Sequence, residues 1–263
     1  MAALTSIECV VSDGLARVTF NAPERGNPID AAFCREFKEL AAQLSVRTDV
    51  RAVLLSAKGR FFSVGGDIRS LTRDRSKMPA IVLSWTADLH AAVSRLMRMR
   101  APVVAAVHGN VAGGSVSLVA AADIVYAAEP ANFTAAFPMI GFSADSGFTV
   151  TLSQRMGFAR AKRFLMMSET LGANEAQVAG LVDFVTSGDT LAETAEQAAL
   201  KLAAGPTLAY AGIKQTMLRA RVQGLETQME DEAQTLAAIS ASEDAWEGLR
   251  AFIEKRAPNF KGR

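Results

Sequence analysis

Three short stretches combine residue types that chemistry uses. The first, residues 59–68 (Gly-Arg-Phe-Phe-Ser-Val-Gly-Gly-Asp-Ile), follows a β-rich run. Paired glycines such as Gly65 and Gly66 let backbone N–H groups approach a ligand with no Cβ in the way, although the same residues also suit an ordinary strand-to-helix turn. The second, residues 105–115 (Ala-Ala-Val-His-Gly-Asn-Val-Ala-Gly-Gly-Ser), leaves a strand, turns, and enters an apolar helix at Gly113 and Gly114. Free amides at a helix start suit a developing oxyanion, so the two turns can supply two donors to one oxygen. No Lys and no third glycine follow in the spacing of a phosphate loop or a dinucleotide fingerprint. The third, residues 137–148, sets one acid, Asp145, among Phe137, Met139, Ile140, Phe142 and Phe148. Apolar surroundings raise a carboxyl pKa and make its anion a better base near neutrality. Asp145 is equally placed to N-cap a helix beginning at Ser146, and the two roles are compatible.

These stretches need elements to hold them. β-rich runs at residues 15–20, 51–56, 103–107, 124–127 and 182–185 are mostly separated by segments of helical periodicity, which predicts an α/β fold of repeated units. Asp30 is placed to N-cap a helix through Leu44 with Phe33, Phe37, Leu40 and Leu44 on one face, and a second helix is predicted over residues 78–99. Beyond residue 190 strand signals vanish, and helices follow at 191–204, 206–222 and 225–252, the last broken near 240–242. The chain therefore divides into an α/β core over residues 1–200 and a helical module over 201–263, whose polar tail at 258–263 is expected to fray.

Composition bounds the class. At 263 residues, half of them hydrophobic, the chain fits one large core with an appendage, since single cores stop growing near ~250–300 residues. A formal charge of +1 with mixed signs disfavours nucleic acid and anionic membranes as partners. The most apolar region, residues 102–128, is interrupted by His108, Asn110 and Asp123, short of the ~20 apolar residues of a membrane span. Cys9 and Cys34 have no metal-type spacing and read as buried small hydrophobes in a reducing compartment, with no disulfide and no metal site. Residues 1–10 lack a basic start and a long apolar stretch, so no signal peptide and a cytoplasmic location are expected.

In this order and spacing the three stretches resemble the signature regions of the crotonase (enoyl-CoA hydratase/isomerase) superfamily. The similarity runs over nearly the whole chain, with residues 21–27 resembling the family's early CoA-binding turn and residues 242–262 its C-terminal helix and tail. The resemblance implies a spiral of ββα units followed by a C-terminal helical trimerisation module, and hence a homotrimer or a dimer of trimers. It implies an acyl-CoA thioester as partner, with CoA arriving as part of the substrate and no separate cofactor or metal. It puts the oxyanion-hole amides on Gly66 and Gly114. Residues 63–68, including Ser63, Gly65, Asp67 and Ile68, would lie against the adenosine part of CoA, and Arg25 near its pantetheine or phosphate portion. At the early turn this chain carries Gly26 and Pro28 where relatives commonly have a basic residue and Ala.

The departures narrow the chemistry. Hydratases of the superfamily use two glutamates, one on the helix after the second glycine turn and one in the loop after the next strand; Ser117 and Phe137 stand there. Asp145 falls where some of the isomerases have an acid in a Pro-Asp-Ser-Gly turn, and where the chlorobenzoyl-CoA dehalogenases place their nucleophile. His90 falls at the dehalogenase base position, with Phe137 replacing the Trp of those enzymes; beside Val93 and Met97 it also reads as a packed residue. His108 reads as structural. The leading expectation is a double-bond shift in an enoyl-CoA, with Asp145 moving the proton and Phe137, Met139 and Phe142 excluding water. The alternatives are a hydratase, a thioester hydrolase or dehalogenase using Asp145 as nucleophile and His90 as base, and an acyl-CoA binder without catalysis.

Overall fold

The protein is seen in a computed structural model that describes residues 4–263. In chain order the larger sheet and its helices begin with β1 (Ile7–Ser12), β2 (Leu15–Phe20), α1 (Ala31–Val46), β3 (Ala52–Ala57), α2 (Ile68–Leu71) and α3 (Met78–Arg98). The centre of the chain gives β4 (Val103–Val107), β5 (Asn110–Ala112), α4 (Gly114–Ala120), β6 (Ile124–Ala128), β7 (Asn132–Thr134), α5 (Phe148–Met156), α6 (Phe158–Met166), β8 (Thr170–Gly172), α7 (Ala173–Val178) and β9 (Phe184–Thr186). Four helices close the chain: α8 (Leu191–Ala203), α9 (Thr207–Arg219), α10 (Leu225–Ser240) and α11 (Glu243–Glu254).

β1 was not foreseen. It pairs with β2 as an antiparallel hairpin through Asp13 and Gly14, whose φ values of 54° and 75° are those a tight two-residue turn demands and Asp-Gly tolerates. From β2 onward the main sheet is parallel, in the order β1-β2-β3-β4-β6-β9. Its centre, β4, is Val-Val-Ala-Ala-Val and wholly buried, as a strand covered on both faces must be. The foreseen helix faces hold: Asp30 accepts from the Phe33 amide at 2.9 Å, and Phe33, Phe37, Leu40 and Leu44 are buried. On the opposite face Leu191, Ala195, Ala199 and Ala203 of α8 pack against Leu15, Leu54, Val104 and Ala106.

A second, three-stranded sheet, β5-β7-β8, lies beside the first. The chain passes from a main-sheet strand to a small-sheet strand to a helix, as in β4-β5-α4, which is the ββα repeat. These strands have three residues each, too few for an alternation signal. The strand expected at 182–185 begins two residues later, because Leu181 and Val182 are buried in the turn that feeds it.

Residue 200 lies inside α8, whose Ala203 is 2% exposed against the sheet. The tail is tied down rather than frayed: Asp244 accepts from the Gly262 amide at 2.7 Å and donates its own amide to the Arg263 carbonyl at 3.0 Å. Arg51 adds a bond to the Phe260 carbonyl at 3.2 Å. Cys34 is buried as expected, whereas Cys9 is only half-buried. No described helix is long and apolar enough to cross a membrane. The reading of residues 1–10 falls partly on residues 1–3, outside the described residues.

Candidate active site

The two glycine turns are built as one unit. Phe62 donates to the His108 carbonyl at 3.1 Å, Ser63 to that of Asn110 at 3.3 Å, and Ala112 back to that of Ser63 at 3.2 Å. Ser63 is the hub and is 1% exposed. Its hydroxyl donates to the Asn27 carbonyl at 2.6 Å and accepts from the Ser115 hydroxyl at 2.6 Å and the Gly65 amide at 3.2 Å. A side chain so committed holds the turn in place. Gly65 has φ +85°, and a Cβ there would stand 2.6 Å from the Ala112 carbonyl oxygen, so the close approach of the two turns depends on glycine. His108 is structural, with Nε2 2.9 Å from the Gly59 carbonyl.

This packing brings Gly66 and Gly114 to the wall of one cavity of about 180 Å³. Among the described residues neither amide donates to a backbone carbonyl, so both are available to a ligand. The remaining wall is apolar: Ile29, Leu71, Trp85, Leu89, Phe137 and Phe142 among others. Val82, Trp85, Thr86 and Leu89 face it from α3. Their i, i+3, i+4, i+7 spacing was the signal that could have found this wall in the sequence. Met139, expected to exclude water, is 69% exposed and off the cavity; Ile140 takes that place. Phe148 is fully buried behind Phe137, their ring centroids 6.3 Å apart.

Asp145 is the one charged residue on the wall among the described residues. Its Oδ1 is buried with no hydrogen-bond partner and lies 3.8 Å from where a Cβ on Gly114 would be. It does not N-cap α5, whose N-cap is Gly147 with no side-chain bond. Burial pushes the carboxyl above the usual aspartate value, opposed by charge on His90 and by the nearby Ser146 hydroxyl. That hydroxyl completes no bond, and His90 Nε2 accepts the Ser146 amide at 3.0 Å, which requires an unprotonated, neutral nitrogen there. Desolvation is therefore left in control.

The other foreseen residues separate by position. Ile68 and Phe137 line the cavity, with Gly65. Asp67 lies outside it and N-caps α2; burial would raise its pKa, but bonds from the Ser70 hydroxyl at 2.6 Å and from the Ser70 and Arg69 amides hold it below the ordinary value. Arg25 pairs with Asp30 at 2.8 Å with its side chain 47% exposed. Ser117 is fully buried and off the cavity, its hydroxyl turned to the Asp145 carbonyl at 3.5 Å. His90 lines a separate groove with Val93, Ser94 and Met97.

The sequence profile of the enoyl-CoA hydratase/isomerase family matches residues 11–263. This chain belongs to that family. Within the enoyl-CoA hydratase/isomerase family it is 34% identical over 254 residues to 1,2-epoxyphenylacetyl-CoA isomerase of Escherichia coli K12, covering 96% of this chain and 97% of that protein. It is 30% identical over 255 residues to trans-2-decenoyl-[acyl-carrier-protein] isomerase of Streptococcus mutans, covering 96% and 97%. The solved enoyl-CoA hydratase from Polaromonas sp. JS666 superposes with a TM-score of 0.91 at 27% identity, over 97% of this chain and 99% of that one. The ββα spiral is therefore the crotonase fold, and the protein is an enzyme of hydratase/isomerase type.

Proposed function

We propose that the protein shifts the double bond of an enoyl-CoA thioester. The observation that carries this reading is Asp145: a single, unpartnered carboxylate oxygen beside Gly114 in an otherwise uncharged cavity. With the thioester oxygen on the Gly66 and Gly114 amides, Asp145 takes a proton from the carbon next to the thioester or from the vinylogous γ carbon. The electron pair moves into the conjugated system and its charge settles on the thioester oxygen. Preorganised donors of this kind lower such a barrier by about 3–4 kcal/mol each. The protonated Asp145 then returns the proton at the other end, so atoms and charge balance without a redox group. The apolar wall suits an uncharged acyl group and keeps water from the dienolate. CoA enters as part of the substrate, with the exposed Arg25 guanidinium near its phosphate or pantetheine portion.

Hydration needs a second carboxylate to hold and activate water, and Ser117 and Phe137 supply none. The test compares, on one preparation, isomerisation of a 3-enoyl-CoA with hydration of crotonyl-CoA. Isomerisation is expected to be faster by about 10²-fold or more, the contribution of a missing general acid-base group. Equal rates would remove the reading. The double variant Ser117→Glu with Phe137→Glu is not expected to restore hydration cleanly, because position 117 is fully buried and a carboxylate there would be desolvated.

A closed cyclic oligomer, a trimer or a pair of stacked trimers, belongs to the same proposal. Met229, Leu236 and Trp246 on α10 and α11 are 59%, 70% and 65% exposed, a large apolar surface for an isolated chain. Sedimentation at micromolar concentration is expected to give three or six chains; a monomer would contradict it.

A further inference from the structure

Helix α3 separates two spaces. Residues 82, 85, 86 and 89 face the cavity that holds Asp145, whereas His90, Val93, Ser94 and Met97 face a groove that also takes in Ser146. The peptide joining Asp145 to Ser146 crosses this partition. Its oxygen, the Asp145 carbonyl, accepts from the Phe148 amide at 2.9 Å and, at 3.5 Å, from the Ser117 hydroxyl. Its N–H is the Ser146 amide, held by His90 Nε2 at 3.0 Å. Ser146 itself has φ 55°, a conformation a non-glycine residue keeps only when its surroundings hold it there. The Asp145 carboxylate has no hydrogen bond on Oδ1 to aim it. The backbone from which the carboxylate projects is instead held at both the oxygen and the N–H of this peptide.

We infer that His90 is a positioning residue for Asp145: its Nε2 lone pair fixes the Ser146 amide and so directs the carboxylate at the substrate carbon from outside the cavity. It touches neither substrate nor the migrating proton. The geometry needs an acceptor at this point, with the ring proton on Nδ1. It does not need a base, because the bond uses up the nitrogen a base would offer. The inference rests on the proposed isomerase reading, and its test separates the two.

The experiment measures kcat and KM for a 3-enoyl-CoA, with thermal melting, in the wild type, His90→Leu, His90→Gln and Asp145→Asn. Leu removes the acceptor; Gln keeps an amide oxygen that can reach the Ser146 amide. Expected for His90→Leu is a fall in kcat of about 10- to 100-fold, the cost of a misplaced reacting group, with KM within about twofold, because the amides and the cavity wall are untouched. The melting temperature should stay within a few degrees, since the groove is open and water can take over the amide. His90→Gln should recover most of the lost kcat. Unchanged kcat in His90→Leu overturns the inference, as does a loss in His90→Gln as deep as that in His90→Leu, which would make His90 a base. Loss that only follows unfolding overturns it too. If Asp145→Asn retains wild-type turnover, it is the isomerase reading that fails; if only Asp145→Asn is impaired, that reading stands and the inference about His90 falls.

Discussion

Asp145→Asn is expected to lower turnover of a 3-enoyl-CoA by about 10²–10⁴-fold, the usual contribution of a positioned general base, with no loss of stability. The amide cannot accept the substrate proton, while the Gly66 and Gly114 amides remain to bind the thioester, so KM need not follow kcat. The stability half follows from the sign of the pKa shift. Burial raises the folded-state pKa of Asp145, so its contribution to stability is present at low pH and is lost as pH rises through the folded value. At neutral pH the ionised group is therefore a cost. The neutral Asn variant should melt at the wild-type temperature or above it at neutral pH, and lose that advantage in acid. The pKa shift also moves the acid limb of the wild-type kcat/KM profile above the ordinary aspartate value of about 3.9, and that limb should vanish from the residual activity of the variant. A melting drop in Asp145→Asn, or an acid limb at an unshifted value, would contradict the assignment of a buried base.

Gly65→Ala is the second large effect. At φ +85° an L-residue pays about 1–2 kcal/mol in backbone strain, and the new Cβ would stand 2.6 Å from a backbone oxygen, that of Ala112. Backbone cannot rotate away as a flexible side chain can, so the two glycine turns must part. The expected result is a melting temperature lower by several degrees and, in the fraction still folded, a loss of about 10²–10³-fold in kcat as the Gly66 and Gly114 donors lose their common target. Gly66→Ala is the control for folding: a Cβ there meets no atom within 4 Å, so its melting temperature should match the wild type. Circular dichroism melts and initial rates on the two variants check both statements. A Gly65→Ala protein with normal melting and normal turnover would show that the turns need not be packed together.

How much of this was legible in the sequence depends on the range of the interaction. The α1 face of Phe33, Phe37, Leu40 and Leu44 repeats at helical spacing and was readable, as was its Asp30 cap. The hairpin of β1 and β2 carries an Asp13-Gly14 turn signal, but Glu8 and Ser12 interrupt the apolar pattern of β1. Strands of three residues in the small sheet are set by neighbours distant in sequence and carry no period of their own. At the site, the glycine pairs and the lone acid Asp145 among aromatics are local features that stand out in the sequence, whereas the oxyanion role of Gly66 and Gly114 is what the family resemblance implies. The hydrogen bonds that commit the Ser63 side chain to the turn could not be read there, because its partners, Asn27 and Ser115, lie 36 and 52 residues away. The capping role offered to Asp145 failed because the left-handed Ser146 and Gly147 delay the helix to Phe148. The bond from Ser146 to His90 spans 56 residues and could be found only in three dimensions.

The most direct measurement follows the wild-type protein on a 3-enoyl-CoA by absorbance of the conjugated thioester and by mass of the product. The isomerase account predicts that conjugation appears, that the product has the mass of the substrate, and that no free CoA thiol is released. A product heavier by one water, release of the thiol, or no conversion at all would contradict it.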